Sequence, residues 1–545
     1  MATQTGQTAS TRIYPLRDQL LGGVDTTLPA HLLGEGQWRT QHNLRLTPTL
    51  TQLPRKIIHA TVGEESITWL GLIPQSAGFG KLLLFTPTRV KTYGGTNLSP
   101  ALTSDSGFRR WSVVVYNGNF YYTNELNSIR RTDGLVDVAI TGAPKGRYLA
   151  MWYDHLIVGY PTFNSVTYPS RVMVSALGYF QDQNVTVVDP VNGNRTLEFK
   201  AWTPAKTNEA DYYDFLEWQQ PDYPFIGVTG LGKLRGVLWV YTPTAIVPLA
   251  YVGLPKVFRV EEQGIVTRVG NTFPWTLVML DQVHFFYDGI EKMFWAFDGQ
   301  TLTPIGEPVR AYMQANLNTT YSLASRMYGF VDVDNREVWW PFCSTGSSGD
   351  FDLAVVFNYR YKKWYTASVE KVFCFCGGTT SVSSVGELAG LVNALTGTVE
   401  DLGTGGSALP RLYGSTEGHL LREELSNDST DNLIPQDTPT LESPDFHYGD
   451  IRTTKENDLM VLNASWDTAV SPTGKIVVKA SGRDFLGQSP SFTTEGDWTQ
   501  ALQDGILGYQ VKSGRVLRYK FELTSTRGAT VSAFSEGVYA KRAEK

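Results

Sequence analysis

From about residue 64 to residue 430 one pattern repeats: an apolar run, a turn of Asp, Asn, Gly or Lys, then an aromatic-rich run. Trp111–Tyr116 and Phe120–Thr123 flank Asn117-Gly118-Asn119, and Leu149–Tyr153 and Leu156–Tyr160 flank Asp154-His155. The pattern returns as Phe225–Thr229 and Leu234–Tyr241 around Gly230–Lys233, then as Leu277–Leu280 and Val283–Tyr287 around Asp281-Gln282. Met327–Val333 and Glu337–Phe342 around Asp334-Asn335 follow, and Arg411–Gly414 and His419–Arg422 around Ser415–Gly418 come last. An Asn-Gly pair between alternating apolar residues is a strong hairpin signal, because both central residues of a type I′ turn need positive φ. Tips spaced roughly 35–55 residues apart, nearer 80 where one is missed, match four-stranded propeller blades. No Trp-Asp, kelch or Asp-box signature repeats with them, so a pair of stacked sandwiches stays open as the rival architecture.

Composition points the same way. Of the 545 residues 42% are hydrophobic and 12% aromatic, but only 18% are charged. Gly (52) and Tyr (27), with Thr, Ser and Asn, suit pleated surfaces and tight turns better than solvated helices. The fold class expected is therefore all-β, with a β-propeller-like main body. Residues 1–60 lack a sustained period and read as an extended N-terminal arm with a first strand. The propeller is expected over 61–430, interrupted at 377–409 by a loop or short helix. Leu388, Leu391, Val392, Leu395, Val399 and Leu402 have helical spacing there, but four glycines weaken any helix. Asn427–Pro444 is poor in apolar residues and holds three prolines. The linker is placed at 431–444 and a C-terminal β-sandwich at 445–545.

The chemistry-bearing residues are scattered. The net charge of −6 and the lack of a dense Lys/Arg run argue against a protein that grips a nucleic-acid backbone. Arg360-Tyr361-Lys362-Lys363 and Arg130-Arg131 read as solvated hairpin ends. Three cysteines, Cys343, Cys374 and Cys376, exclude a disulfide framework and do not have zinc-knuckle spacing. They are expected to be buried thiols, two of them on a strand over Val372–Cys376. The seven histidines form no metal-binding pair, and His155 and His284 are expected to be ordinary hairpin residues. Gly78-Phe79-Gly80-Lys81 resembles the end of a P-loop but lacks the first glycine (Gln75) and the Ser/Thr (Leu82). Asp332-Val333-Asp334 starts like a calcium loop, but Arg336 takes a ligand's place. Glu261-Glu262 reads as solvated. Asp211, Asp214 and Glu217 lie among Tyr212, Tyr213, Phe215 and Trp218, and on a helix they would share a face suited to sugar. No catalytic, cofactor or metal site is assigned. The N-terminus lacks the apolar core of a secretory signal, and no window has the ~20 apolar residues of a spanning helix.

Several segments, in this order, resemble the nozzle (tail tubular protein B) family of short-tailed bacteriophages. Pro169–Phe180 is similar to its Arg-strand-Ser-Ala-x-Gly-x-Phe segment. Gly264-Ile265-Val266, Val283–Phe286, Phe297-Asp298-Gly299 and Pro304–Glu307 resemble an aromatic strand followed by Phe-Asp-Gly and Ile-Gly-Glu. Asp332–Trp340, Val355–Arg360 with Trp364, and Ser513-Gly514-Arg515 continue the likeness. It spans about residues 20–430 and, less clearly, the tail domain. The resemblance implies a non-enzymatic structural protein of the virion tail, assembled in the host cytoplasm. It implies a homohexameric ring beneath the portal and head-to-tail adaptor, meeting tail fibres or spikes. Genomic DNA would pass through the ring's channel without specific binding, gated until ejection, and the N-terminal arm would wrap a neighbour or dock on the adaptor. A carbohydrate-binding or depolymerising tail protein is the alternative, with Asp211, Asp214 and Glu217 as its candidate site.

Overall fold

A computed structural model describes residues 12–15, 21–376, 412–423, 437–447 and 454–541, apart from short breaks within those spans. The described chain is almost entirely β, and its central part is seven small antiparallel sheets in sequence order. Blade 1 is Trp69–Ile73, Lys81–Phe85 and Val90–Thr92. Blade 2 runs from Ser112–Tyr116 through Asn119–Thr123 and Arg130–Thr132 to Asp137–Ala139. Blade 3 is Tyr148–Trp152, His155–Gly159, Arg171–Val174 and Asp211–Asp214. Blade 4 is Gly230–Leu234, Val237–Tyr241, Ala245–Tyr251 and Phe258–Val260. Blade 5 is Val278–Leu280, Val283–Asp288, Met293–Phe297 and Leu302–Pro304. Blade 6 is Phe330–Asp332, Glu337–Phe342, Leu353–Asn358 and Lys363–Ser368.

Blade 7 closes the ring. Its strands Val372–Cys376, Leu412–Ser415 and His419–Glu423 are completed by Lys56–Thr61 from the other end of the sequence. The first strand of blade 7 also lies against the first strand of blade 1. A separate apolar cluster seals each pair of neighbouring blades. Phe85, Trp111 and Tyr122 join blades 1 and 2; Tyr121, Leu149 and Leu156 join 2 and 3; Trp152, Val172 and Leu238 join 3 and 4. Trp239, Phe286 and Phe297 join 4 and 5, and Tyr287, Phe294 and Trp340 join 5 and 6. Phe330, Phe375 and Tyr413 join 6 and 7, and Leu70, Leu84 and Leu420 return to blade 1. This is a seven-bladed propeller: radial repetition buries both faces of every sheet and leaves only short edges.

The second body is a sandwich that grows out of blade 6. Lys363–Ser368 is followed across the sheet by Thr40–His42, Thr440–Glu442, Val516–Thr524, Lys475–Arg483 and Thr493–Thr499. A second sheet is ordered Leu44–Leu46, Leu50–Gln52, Thr530–Lys541, Thr454–Ser465 and Ile506–Leu507, with Arg12–Pro15 on Thr530–Lys541. Ile476, Val478, Tyr519, Phe521 and Leu523 alternate inward to meet Ala464, Trp466 and Val531. Phe330, Trp339 and Tyr365 of blade 6 belong to the same cluster, so both bodies share one core.

Three expectations change. The N-terminal 60 residues contribute no free arm within the described part, because their strands pair inside this chain: Thr40–His42 bridges the two bodies and Lys56–Thr61 closes the ring. Segments that lack a hydrophobic period of their own gain partners only in the tertiary structure. The expected turn Gly230–Lys233 is a strand instead, and the chain reverses at Arg235-Gly236 (φ 52° and 83°). Its glycines serve packing: a Cβ on Gly232 would stand 2.6 Å from the His284 ring, and one on Gly230 would stand 2.8 Å from Leu277. Part of the expected linker is also ordered sheet, at Thr440–Glu442. The expected insertion at 377–409 lies outside the described residues.

Candidate functional site

The three acids singled out in the sequence do not converge. Asp211 and Asp214 lie on a strand, the outer one of blade 3, where a separation of three places them on opposite faces. The helix that would have aligned them is absent from this segment. Asp214 is held by Arg171, with Nε and Nη2 donating at 2.7 and 2.8 Å. The guanidinium lies between the rings of Tyr168 and Tyr212, at 3.8 and 4.1 Å, so the aromatics here clasp an arginine. Asp211 accepts from the backbone N–H groups of Tyr212 and Val257. Glu217 lies outside the described residues.

Other sequence candidates turn out to hold the scaffold together. Val372–Cys376 is a strand, and all three cysteines are free thiols. Burial pushes the thiols of Cys343 and Cys376 up to about 11 and that of Cys374 to about 12, so none is a ready nucleophile. His284 is buried between blades 4 and 5. Its Nε2–H donates to the Lys233 carbonyl at 3.1 Å and its Nδ1 accepts from Tyr241 Oη at 2.7 Å. Burial pulls its pKa down to about 4 and keeps the ring neutral. Asp332 closes its own hairpin by accepting from Asn335 N–H and Nδ2, at 3.2 and 2.6 Å. Arg360-Tyr361-Lys362 forms the tip of the last hairpin of blade 6, and Arg130 pairs with Asp137 inside blade 2. Glu261 and Glu262 are exposed. Gly78, Phe79 and Gly80 lie outside the described residues, and Lys81 opens a strand. Among the described residues no three His, Cys, Asp or Glu side chains group to hold a metal ion. No helix among them is long and apolar enough to cross a membrane.

Two features the sequence did not announce stand out. The first lies where the innermost strands begin. Arg110, just ahead of blade 2, is 2% exposed and donates to the carbonyls of Phe373 (3.0 Å, blade 7) and Thr68 (3.4 Å, beside blade 1). Its guanidinium lies 3.9 Å from the centre of the Tyr328 ring, beside blade 6. Burial lowers its pKa to about 10, still cationic at neutral pH. Tyr148 of blade 3 and Trp275, which leads into blade 5, meet at 5.6 Å across blade 4. Side chains thus draw the inner strands together at this end.

The second is an aromatic rim on blades 3 and 4. Tyr153 occupies the first position of a two-residue turn, with φ 45°, followed by Asp154 at φ 57°. Tyr153 is 52% and Tyr251 39% exposed, and their rings lie 5.0 Å apart over Trp152 and Phe258. Tyr251 Oη donates to Glu209 Oε2 at 3.4 Å. Beneath them His155 is fully buried, with Nδ1 bonded to the Ser175 carbonyl at 2.7 Å. The sequence pattern ran Tyr153 into the preceding strand and set the turn at Asp154-His155, which hid its exposed position. Glu209 and Tyr251 are too far apart in sequence for any spacing rule to join them.

A cavity of about 260 Å³ lies at the seam of the two bodies, lined by Thr26, Arg39, Tyr312, Asn316 and Thr366 among others. Arg39 Nη1 is already bonded there to the carbonyls of Thr26 and Leu28, at 2.7 and 3.0 Å.

No protein-family profile matches the chain, and no curated protein matches it in sequence. Among solved structures it is similar to the WD40 β-propeller domain of Doa1, with 9% identity and a TM-score of 0.35, over 69% of this chain and 99% of that one. It is also similar to the computationally designed Ika8 protein, with 9% identity and a TM-score of 0.32, over 66% of this chain and 97% of that one.

Proposed function

We propose that this protein is a structural subunit of a short phage tail, forming the nozzle ring around the DNA exit channel. The observation that carries the reading is a ring of seven sealed blades locked through one core to a sandwich, a stiff wall piece. The ordered resemblance of Pro169–Phe180, Phe297–Glu307 and Asp332–Trp364 to nozzle proteins supports it, and these segments build blades 3, 5 and 6. Because Arg110, Tyr328, Tyr148 and Trp275 draw the inner strands together, a passage for a duplex lies between subunits and not along a propeller axis. A net charge of −6 lets DNA slide past such a wall without sticking. In this reading six copies surround the channel, meet the adaptor or portal above, carry fibres or spikes, and act mechanically without catalysis.

The test is the mass of the purified protein by light scattering, with negative-stain imaging of the same sample, alone and mixed with candidate adaptor proteins. A ring in either sample supports the nozzle. A monomer in both, with no ring on particles that contain the protein, rejects it.

A further inference from the structure

The rim on blades 3 and 4 has a chemistry that a wall piece does not require. A type I′ turn asks for Asn, Asp or Gly, yet its first position holds Tyr153 at φ 45°. A bulky residue there is strained, and the turn itself gains nothing from the ring. The ring lies half in solvent against Tyr251; a neighbouring loop carries Tyr179, 54% exposed, and Tyr116, half-buried, ends a blade 2 strand against Phe180. Gly178 N–H bonds the Asp154 carbonyl at 2.9 Å, which ties the Tyr179 loop to the Tyr153 turn.

Polar groups sit among these rings. Glu209 Oε2 accepts from Tyr251 Oη and stands 3.7 Å from His155 Nε2. With Nδ1–H given to Ser175, the buried imidazole turns an acceptor lone pair toward the carboxylate, and Nε2 has no hydrogen-bond partner. Burial lowers the pKa of His155 and favours this neutral form. The buried Nε2 is out of a ligand's reach, so the part-exposed carboxylate of Glu209 is the acceptor that faces solvent beside the rings.

We propose that this rim is a binding site for a neutral oligosaccharide, with Tyr153 and Tyr251 as the stacking surface and Glu209 as the acceptor for its hydroxyls. A pyranose ring presents a C–H face to an aromatic ring and hydroxyls at its edge, and it is matched by an apolar platform with a few placed polar groups. Asp154, Glu209 and Asp211 at the same edge disfavour an anionic sugar. The centre of a protein–protein contact is depleted of carboxylates, which sets this surface apart from an ordinary docking patch. This site is separate from the assembly reading and is tested on the isolated protein.

The experiment is saturation-transfer NMR on the full chain with neutral trisaccharides of glucose, galactose and rhamnose as probes. Wild type is expected to bind at least one, with a Kd of about 1 mM or tighter. Tyr153→Asn, which suits the turn and removes the ring, is expected to weaken binding at least tenfold without lowering the melting temperature. Glu209→Gln is expected to weaken it as well, while Tyr212→Ala, outside this rim, leaves it unchanged. Absence of transfer to every probe overturns the proposal, as does equal transfer to wild type and Tyr153→Asn. A Tyr153→Asn protein that loses self-association but never bound sugar reassigns the rim to a protein contact and overturns it too.

Discussion

Buried charge in this protein is spent on joining parts. Arg45, on the first strand of the sandwich's second sheet, donates from Nε to both oxygens of Glu337 in blade 6, each at 3.2 Å. Its Nη2 stands 3.7 Å from Asp332, and Trp339 Nε1 donates to Glu337 at 3.1 Å. All three charged residues are less than one-tenth exposed. Removing one partner strands the others, so Arg45→Ala should cost about 3–5 kcal/mol, read from urea unfolding. Asp288 in blade 5 is a different case. Its Oδ1 accepts from Thr272 Oγ1 and Ile290 N–H, but Oδ2 is buried without a hydrogen-bond partner. Burial raises its pKa from 3.8 to about 6. The folded state therefore binds the extra proton between those values, and stability falls as pH rises from about 4 to about 6, then levels. Asp288→Asn should remove this decline, worth up to about 3 kcal/mol at about 1.4 per pKa unit. Melting curves of both proteins from pH 4 to pH 8 check it; parallel curves would contradict it.

Hairpins are the unit that local chemistry specifies well. Asn117-Gly118 takes positive φ at both positions, as its letters require, and joins Ser112–Tyr116 to Asn119–Thr123 within a residue of expectation. The strand Lys56–Thr61 is the opposite case, since nothing local marks it as the edge of a blade whose other strands lie more than 300 residues away. The turn before its partner strand depends on Gly418, at φ 74°, where a Cβ would come 2.2 Å from the Gly63 carbonyl oxygen. Val62 N–H bonds the Gly418 carbonyl at 3.0 Å. Gly418→Ala should therefore cost more than about 1 kcal/mol and loosen the closing strand first. Hydrogen exchange should show faster exchange over Lys56–Thr61 than in blades 3 to 5; uniform protection would argue against this.

At the scale of the whole molecule, one sheet and one core run from blade 6 into the sandwich. Two bodies joined this way should melt together, unlike domains on a linker. Ile476→Ala, in the sandwich core, should cost about 2–5 kcal/mol. It should shift the transition of the propeller by the same amount in calorimetry with circular dichroism. Two separate transitions, only one of them shifted, would show the bodies to be independent.

The sequence by itself determined the class of fold and most hairpins, because turn residues and aromatic alternation act over a few positions. It also marked the sandwich strands, where Lys475–Ala480 and Arg518–Thr524 were legible from period two and were extended in the structure to Arg483 and back to Val516. Only the tertiary structure decided the number of blades, the closing role of Lys56–Thr61 and the pairing of the described strands before it, since these depend on contacts between distant segments. It also decided which acids meet which rings. Asp211 and Asp214, neighbours in the chain, face apart on a strand, while Tyr153, Glu209 and Tyr251 converge because adjacent blades bring their ends together. Spacing along a chain reports one face of one element, and a site shared between blades is created by packing.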